Sequence, residues 1–171
     1  VFRKKRSDLP LRSRSCMYGK ILVPVDDIES AGLALTNAKD LAKATGASLV
    51  LLHVVTPDHP LVISDEHVAG VHAAAAVVEQ AQQDESVHLA NQQSKLQAAA
   101  DEISAEGVSA SAEAVLGNAH DEIVRAVKDS GADLVILSTH GRRGVSRALL
   151  GSVADEVVHD VDVPVMLVNR S

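Results

Sequence analysis

The sequence predicts an α/β domain with a parallel β-sheet, and three observations lead to that class. Short apolar runs, which are typical of strands buried on both faces, alternate with segments whose apolar residues recur at helical spacing. The alternation continues along most of the 171 residues, a length that suits one domain with a sizeable core. Apolar residues make up 46% of the chain but only Phe2 and Tyr18 are aromatic, so we expect an aliphatic core.

The first predicted elements are two buried strands around a helix. The apolar run at 20–25 predicts a strand, and two consecutive aspartates end it. A helix is expected over 29–45 because its leucines and alanines recur at helical spacing, and Gly46 stops it. The apolar run at 47–55 then predicts the second buried strand.

The middle of the chain is less regular. We expect a loop over 57–70, followed by a segment rich in Ala and Gln that ends at 106. Leu89, Leu96 and Ile103 recur every seven residues, so the second half of that segment predicts an amphipathic helix. Histidines lie near acidic residues here, but their spacing matches no metal motif and no metal site is predicted. These histidines are His59, His67, His72 and His88.

The remaining elements alternate as the class requires. Polar and apolar residues alternate over 108–116, which predicts a third and more exposed strand. A helix closed by Gly131, a strand, a helix and a last strand are then expected. These four elements cover 118–129, 134–137, 152–160 and 163–168.

Charge is unevenly distributed along the chain. The 16 basic and 23 acidic residues give a net charge of −7, but six of the basic residues and one acid precede Met17. The remaining 10 basic and 22 acidic residues give −12, which repels phosphate backbones. That part also lacks aromatic platforms for single-stranded nucleic acid. We therefore expect no nucleic-acid binding, and no membrane binding because no apolar run approaches the about 20 residues of a span.

Residues 1–16 differ in kind from the rest of the chain. They are basic and lack the apolar core of a secretory signal. We expect a disordered leader, derived from cloning or from sequence upstream of a true start at Met17, ahead of one domain over 17–171. The alternative is a basic arm that contacts anionic lipid or nucleic acid.

Cys16 is the only cysteine, which excludes a disulfide framework and fits a cytoplasmic protein.

The segment after the fourth strand has the composition of an anion-binding loop. Gly141 and Gly144 follow that strand, and Gly151-Ser152 open the next helix. Glycines let a backbone approach a ligand closely, and a helix N-terminus offers unpaired N–H groups to a phosphate. Ligands of open parallel sheets lie beyond the carboxyl ends of the strands, where Asp26 follows the first strand. The structural alternative is that Ser152 and the acid three residues later form a capping box.

Signatures of several enzyme classes are missing or incomplete. The chain has no phosphate-binding loop with a Walker lysine, no G-x-G-x-x-G and no H-E-x-x-H. The segment 144–148 lacks the second glycine of a nucleophile elbow. Because no acid–base pair stands out either, we do not expect efficient hydrolysis.

Three separate motifs resemble the universal stress protein family. The likeness extends over residues 17–170 and implies a three-layer α/β sandwich whose five-stranded parallel sheet has the order 3-2-1-4-5. This Rossmann-like arrangement is that of the adenine nucleotide α-hydrolases, and members of the family are usually homodimers. The motifs are Ile21-Leu-Val-Pro-Val-Asp26, Leu51-Leu-His-Val-Val55, and Gly144-Val-Ser-Arg-Ala-Leu-Leu-Gly151-Ser152-Val153-Ala154 with Val163-Pro-Val165.

The ATP-binding branch of that family is marked by a glycine, two residues, a glycine, nine residues and then Gly-Ser or Gly-Thr. Gly141 and Gly151-Ser152 match, whereas Ser138 stands in place of the first glycine. The resemblance implies an ATP site, with or without Mg²⁺ or Mn²⁺. In the site that the resemblance implies, Asp26 and the Val54 backbone hold adenine, while the glycine loop and the start of the helix at Gly151-Ser152 hold ribose and phosphates. The implied site residues are Pro24, Val25, Asp26, Val54, Ser138, Gly141, Gly144, Gly151, Ser152 and Val153.

We therefore expect an ATP-binding universal stress protein that regulates a stress response. One alternative is a nucleotide-free dimeric interaction or chaperone-like module of the same fold, in which Ser138 and Asp27 close the site. Another is a slow ATPase.

The last strand, 163–168, is apolar on both faces, so as an edge strand it needs a partner. We expect it to pair antiparallel with its copy in a homodimer.

Overall fold

The computed structural model of the protein describes residues 17–26, 31–57, 71–139 and 151–169. Five strands and four helices alternate along these ranges. The strands are β1 (Lys20–Pro24), β2 (Ser48–Val55), β3 (Ala110–Leu116), β4 (Leu134–Thr139) and β5 (Val165–Asn169). The helices are α1 (Gly32–Thr45), α2 (Val71–Ala105), α3 (Ala119–Ser130) and α4 (Ser152–Asp160). The predicted leader, residues 1–16, lies outside the described ranges.

The five strands form one parallel sheet in the order β3-β2-β1-β4-β5, which confirms the predicted fold class. β1 lies at its centre and is buried on both faces. Ile21 and Val23 pack with residues of α1 and α2, whereas Leu22 packs with residues of α3 and α4. The sheet is therefore the middle of three layers, and its largest fully buried side chains are Leu, Ile and Val.

Helix ends follow the local signals in the sequence. Gly46 (φ 74°) ends α1 and Gly131 (φ 65°) ends α3, each in the left-handed conformation that glycine adopts readily. Asn118 begins α3, because its side-chain oxygen accepts the N–H groups of His120 and Asp121. These three boundaries were predictable from single residues.

Helix α2 is longer than predicted. Its second half is amphipathic as expected, with Leu96, Ala100 and Ile103 buried against the sheet. The helix nevertheless begins at Val71, and its first half includes Val87, which is 54% exposed. Ala and Gln have high helix propensity, so this half forms a helix without the apolar stripe on which the prediction relied. No helix in the described part of the chain combines the length and hydropathy of a membrane span.

Strand ends differ from the prediction by one to two residues. β4 is two residues longer than predicted, and β5 begins and ends later. The cause is that Ser138 and Thr139 continue the ladder by pairing with Val168 and Asn169. Polar side chains at the end of an apolar run therefore belong to the strand, which brings them to the carboxyl edge of the sheet.

Gln93 of α2 covers the outer edge of β3. Its Nε2 donates to the Ala112 carbonyl at 3.1 Å, and its Oε1 accepts the Ala114 N–H at 2.6 Å. The ladder toward β2 uses alternate residues, beginning with the bond from the Leu49 N–H to the Ser109 carbonyl, so Ala112 and Ala114 face outward. The side-chain amide takes the place of a further strand and closes this edge.

His120 connects the start of α3 to the end of α4. Its Nδ1 lies 3.0 Å from Asp121 Oδ1, and its Nε2 lies 2.9 Å from Asp160 Oδ2. Burial alone would lower the pKa of His120, but the hydrogen bond with Asp121 and the nearby charges of the Asp121 and Asp160 carboxylates outweigh it and raise the pKa. The imidazolium therefore stabilises the packing of these two helices.

Replacing Gln93 tests the covered edge. Gln93→Leu leaves the outward Ala112 carbonyl and Ala114 N–H without their partner, so we expect a loss of about 1–3 kcal/mol in the free energy of unfolding. Urea denaturation measures it. The control is Gln97→Leu, because Gln97 is exposed and its side chain donates to Asp101 on its own helix. Equal losses in the two variants would contradict a special role for Gln93.

The His120 contact predicts a pH dependence of stability. Because its pKa is higher in the folded than in the unfolded protein, the stabilisation is complete below about pH 6.5, the ordinary value, and is lost as pH rises through the folded value. His120→Gln should therefore destabilise the protein at about pH 6, and its difference in stability from the unsubstituted protein should shrink as pH rises through the folded pKa of His120.

Urea denaturation across this range measures the difference between the two proteins. His159→Gln is the control, because His159 is exposed and its contact with Asp155 is long, at 4.0 Å. A difference between His120→Gln and the unsubstituted protein that does not change with pH would refute the contact.

Candidate functional site

A cleft opens at the carboxyl edge of the sheet because the ladder between β1 and β4 stops early. β1 pairs with β4 only through Ile21 and Leu22. Alternate residues face β4, so the next bond would need the N–H of residue 24, and Pro24 has none. β2 and β4 both continue beyond this point, to Val55 and Thr139. The gap between them is the switch point at which open parallel sheets bind ligands.

The cleft has an apolar floor and a polar rim. Its volume is about 190 Å³. Pockets for drug-sized ligands measure about 300–1,000 Å³, so the described walls would enclose only part of a nucleotide. The floor is formed by Leu52, Val54, Ile123 and Leu137, and the rim carries Asp26, Ser138, Thr139 and Ser152.

The structure brings together eight of the ten predicted site residues around this cleft. The other two, Gly141 and Gly144, lie outside the described residues, as does Asp27. The eight are Pro24, Val25, Asp26, Val54, Ser138, Gly151, Ser152 and Val153. Their roles in binding remain predictions.

Sequence analysis missed the contribution of α3 to the cleft. Ala119 and Ile123 line it from the first turns of that helix. They are four residues apart, so their spacing indicated a helix face that packs against the sheet but not which part of the sheet it meets. Thr139 was also missed, although a polar residue at the carboxyl end of a central strand is a usable signal.

The N-terminus of α4 presents to the cleft backbone donors that have no acceptor within the helix. The first bond within this helix runs from the Asp155 N–H to the Gly151 carbonyl at 3.0 Å. The N–H groups of Ser152, Val153 and Ala154 therefore have no acceptor within the helix, and all three residues line the cleft. The helix dipole adds positive potential at the same place. This geometry suits an anion such as a phosphate.

The capping-box alternative for Ser152 is wrong. Gly151 is the N-cap residue and Ser152 is the first residue of the helix, and no side chain caps this end. A capping box needs the serine one position earlier, outside the helix, so that its hydroxyl can accept an N–H two or three residues later. The Ser152 hydroxyl is exposed at the rim of the cleft instead.

Neither the backbone nor the packing of the protein requires glycine at Gly151. Its φ of −58° and ψ of 151° are ordinary for any residue, and a Cβ added there would meet nothing within 4 Å. Among the described residues, a Cβ at this position would meet open space, and Gly151 lines the cleft.

Ser138 fits its position without strain. It is a residue of β4 in register with Val168, so its backbone is extended. Extended conformations suit serine as well as any residue with a Cβ. The substitution of serine for the first glycine of the family motif therefore imposes no left-handed conformation here.

The described part of the chain contains no group of three His, Cys, Asp or Glu side chains that could hold a metal ion. His88, one of the four histidines noted in the sequence, is exposed on α2 and contacts Gln92. His59 and His67 and the side chain of His72 lie outside what the structure describes. In the described lining of the cleft, Asp26 is the one ionisable side chain.

Comparisons with known proteins agree with the fold. The model of the universal stress protein family matches residues 17–169. Universal stress protein MJ0577 of Methanocaldococcus jannaschii is 30% identical over 161 residues, which cover 91% of this chain and 98% of that protein. Its solved structure superposes with a TM-score of 0.70 at 28% identity, over 91% of this chain and 98% of that one.

Two more distant structures show the same fold. A universal stress protein in complex with cAMP has a TM-score of 0.58 at 22% identity and covers 90% of this chain and 98% of its own. The universal stress protein from Archaeoglobus fulgidus in complex with dAMP has a TM-score of 0.53 at 19% identity, with coverages of 88% and 98%. With a family model that matches almost the whole described chain and a relative at 30% identity, this chain belongs to the universal stress protein family.

Proposed function

We propose that the protein binds ATP in the cleft at the end of β1 and acts as a nucleotide-dependent regulator of a stress response in the cytoplasm. One observation carries the proposal: three N–H groups of α4 that have no acceptor within the helix lie at one end of a cleft that has an apolar floor and a carboxylate at its rim. A nucleotide has the matching parts, namely an anionic phosphate chain and a flat base with an amino group.

Each part of the nucleotide has a proposed place. The adenine ring lies against Val25 and Val54, with its amino group or the ribose hydroxyls donating to Asp26. The phosphates accept hydrogen bonds from the start of α4. Gly141 and Gly144 belong to the proposed site through the sequence resemblance alone. Aliphatic walls suffice for the base, since Tyr18 is the only aromatic residue after residue 16 and does not line the cleft.

A divalent ion is proposed only as a companion of the phosphates. Asp26 is the one carboxylate in the described lining, and one carboxylate with phosphate oxygens and water is a usual environment for Mg²⁺. Mn²⁺ accepts the same ligands. The protein's own side chains therefore position the nucleotide, and the ion would neutralise part of the phosphate charge.

Relatives support the class of ligand. The proteins solved with cAMP and with dAMP hold adenine nucleotides on this fold. Their identity of 22% and 19% to this chain carries the fold and not the site, so the residue assignments rest on the geometry of the cleft and, for Gly141 and Gly144, on the sequence resemblance.

Gly151→Ala tests the nucleotide site without disturbing the fold. We expect the unsubstituted protein to bind ATP saturably and the variant to bind it about tenfold more weakly or worse, because the added methyl group fills the space of the phosphates. The free energy of unfolding should change by no more than about 1 kcal/mol. Gly32→Ala is the matched control, since a Cβ at Gly32 also meets nothing within 4 Å and Gly32 does not line the cleft.

Equilibrium binding measures the affinities, and ultraviolet absorbance detects a nucleotide that co-purifies, because Tyr18 and Phe2 are the only aromatic residues. Failure of the unsubstituted protein to bind ATP at millimolar concentration would favour the nucleotide-free interaction module. Phosphate release over multiple turnovers that Gly151→Ala abolishes would establish the slow ATPase instead.

We also propose a homodimer that pairs β5 with its copy. β5 is the edge strand opposite β3, and its Met166 and Leu167 are 38% and 40% exposed. The Val135 N–H bonds the Pro164 carbonyl, so the backbone groups of Leu167 point away from β4. In the described ranges no side chain covers that edge in the way that Gln93 covers β3. A two-fold antiparallel pairing would satisfy these groups and bury both side chains.

Leu167→Lys tests this interface. A two-fold axis through the middle of β5 brings residue 167 of each copy together, so we expect repulsion between the two lysines and monomers at micromolar concentration. Leu33→Lys is the control, because Leu33 is a similarly exposed leucine (45%) on α1. Light scattering measures the mass. An unchanged dimer in Leu167→Lys would refute the pairing, and a change at Val165 is avoided because that side chain packs on the core.

A further inference from the structure

His53 of β2 holds the main chain of β1 at the point where their ladder ends. Its Nδ1 lies 2.7 Å from the Val25 carbonyl oxygen. A carbonyl only accepts hydrogen bonds, so Nδ1 must carry a proton and donate it. The two residues are 28 positions apart in sequence, and the ring is partly buried at the edge where the cleft opens.

This contact replaces a bond of the regular ladder. The Val25 N–H donates to the Leu52 carbonyl at 2.8 Å. In a continuing parallel ladder the Val25 carbonyl would next accept the Val54 N–H. The His53 ring occupies that carbonyl instead, and the ladder between the two strands stops.

Because the ladder stops here, the backbone N–H and C=O of Val54 have no partner in β1. The N–H and C=O groups of one strand residue point toward the same neighbouring strand, and those of the residue two positions later point the same way. The Leu52 carbonyl faces β1, so the N–H and C=O of Val54 face the end of β1 as well. Val54 lines the cleft. It thus presents a donor and an acceptor side by side to whatever lies there.

We propose that His53 is a positioning residue that keeps the Val54 N–H and C=O available to the edge of a purine and thereby sets a preference for adenine. The inference rests on the proposed nucleotide-binding function. Adenine offers an acceptor (N1) beside an amino donor, which matches an N–H beside a C=O. Guanine and hypoxanthine carry a donor at N1 beside a carbonyl, so both pairs would clash.

Two substitutions separate the hydrogen bond from mere filling of space. His53→Leu removes the donor, so the Val54 N–H should bond the vacated Val25 carbonyl and leave the cleft. We expect ATP affinity to fall about tenfold and the preference for ATP over GTP to shrink by a similar factor. His53→Asn retains an N–H near the position of Nδ1 and should restore both within about threefold. His88→Leu, on an exposed histidine of α2, should change neither.

Amide hydrogen exchange tests the same proposal without nucleotide. In His53→Leu the Val54 amide should exchange about tenfold more slowly than in the unsubstituted protein, while that of Leu52, already in the ladder, should not change. Unchanged Val54 exchange would overturn the proposal, and so would equal ATP affinity in the leucine and asparagine variants. If Val54 responds as expected but the unsubstituted protein binds no ATP, the proposed function fails and its adenine preference with it, while the control of Val54 by His53 stands.

Discussion

The early end of both ladders of β1 is the constraint on which the cleft depends. Toward β4 the ladder stops because Pro24 has no N–H to donate, and toward β2 it stops because the His53 ring occupies the Val25 carbonyl. β1 is the central strand, so the end of its pairing leaves a gap between β2 and β4, which both continue. A regular ladder continuing beyond residues 24 and 25 would use the backbone groups that now face this gap in hydrogen bonds between strands.

Helix α4 completes the site because it is held firmly at both its core face and its far end. Ala154 and Val157 are buried against the sheet, and Asp160 contacts His120 of α3. Packing and the His120 contact therefore help to fix the position of the N–H groups at its start. His120 does not itself line the cleft, but it stabilises the helix that supplies the anion-binding end.

Local signals in the sequence predicted most helices and strands. The features that sequence analysis missed depend on contacts between elements that are distant along the chain. Gly46 and Gly131 mark helix ends because only their own φ is involved. The floor residues of α3 could be assigned to a buried face but not to the cleft, since that depends on how the helix crosses the sheet. The contact of His53 with Val25 likewise requires the register of two strands. The sheet order came from the resemblance to the family and not from the spacing of residues.

The two edges of the sheet differ in what covers them. A parallel sheet must end in two strands with unpaired backbone groups, and this chain covers one of them itself, through the amide of Gln93 on β3. The other edge, β5, is one strand away from the cleft, because Ser138 at the rim pairs with Val168. Thermodynamic linkage then relates the two proposals: if a nucleotide changes the dimer constant, dimerisation changes the nucleotide affinity by the same factor. The end of β4 is the element that both events share.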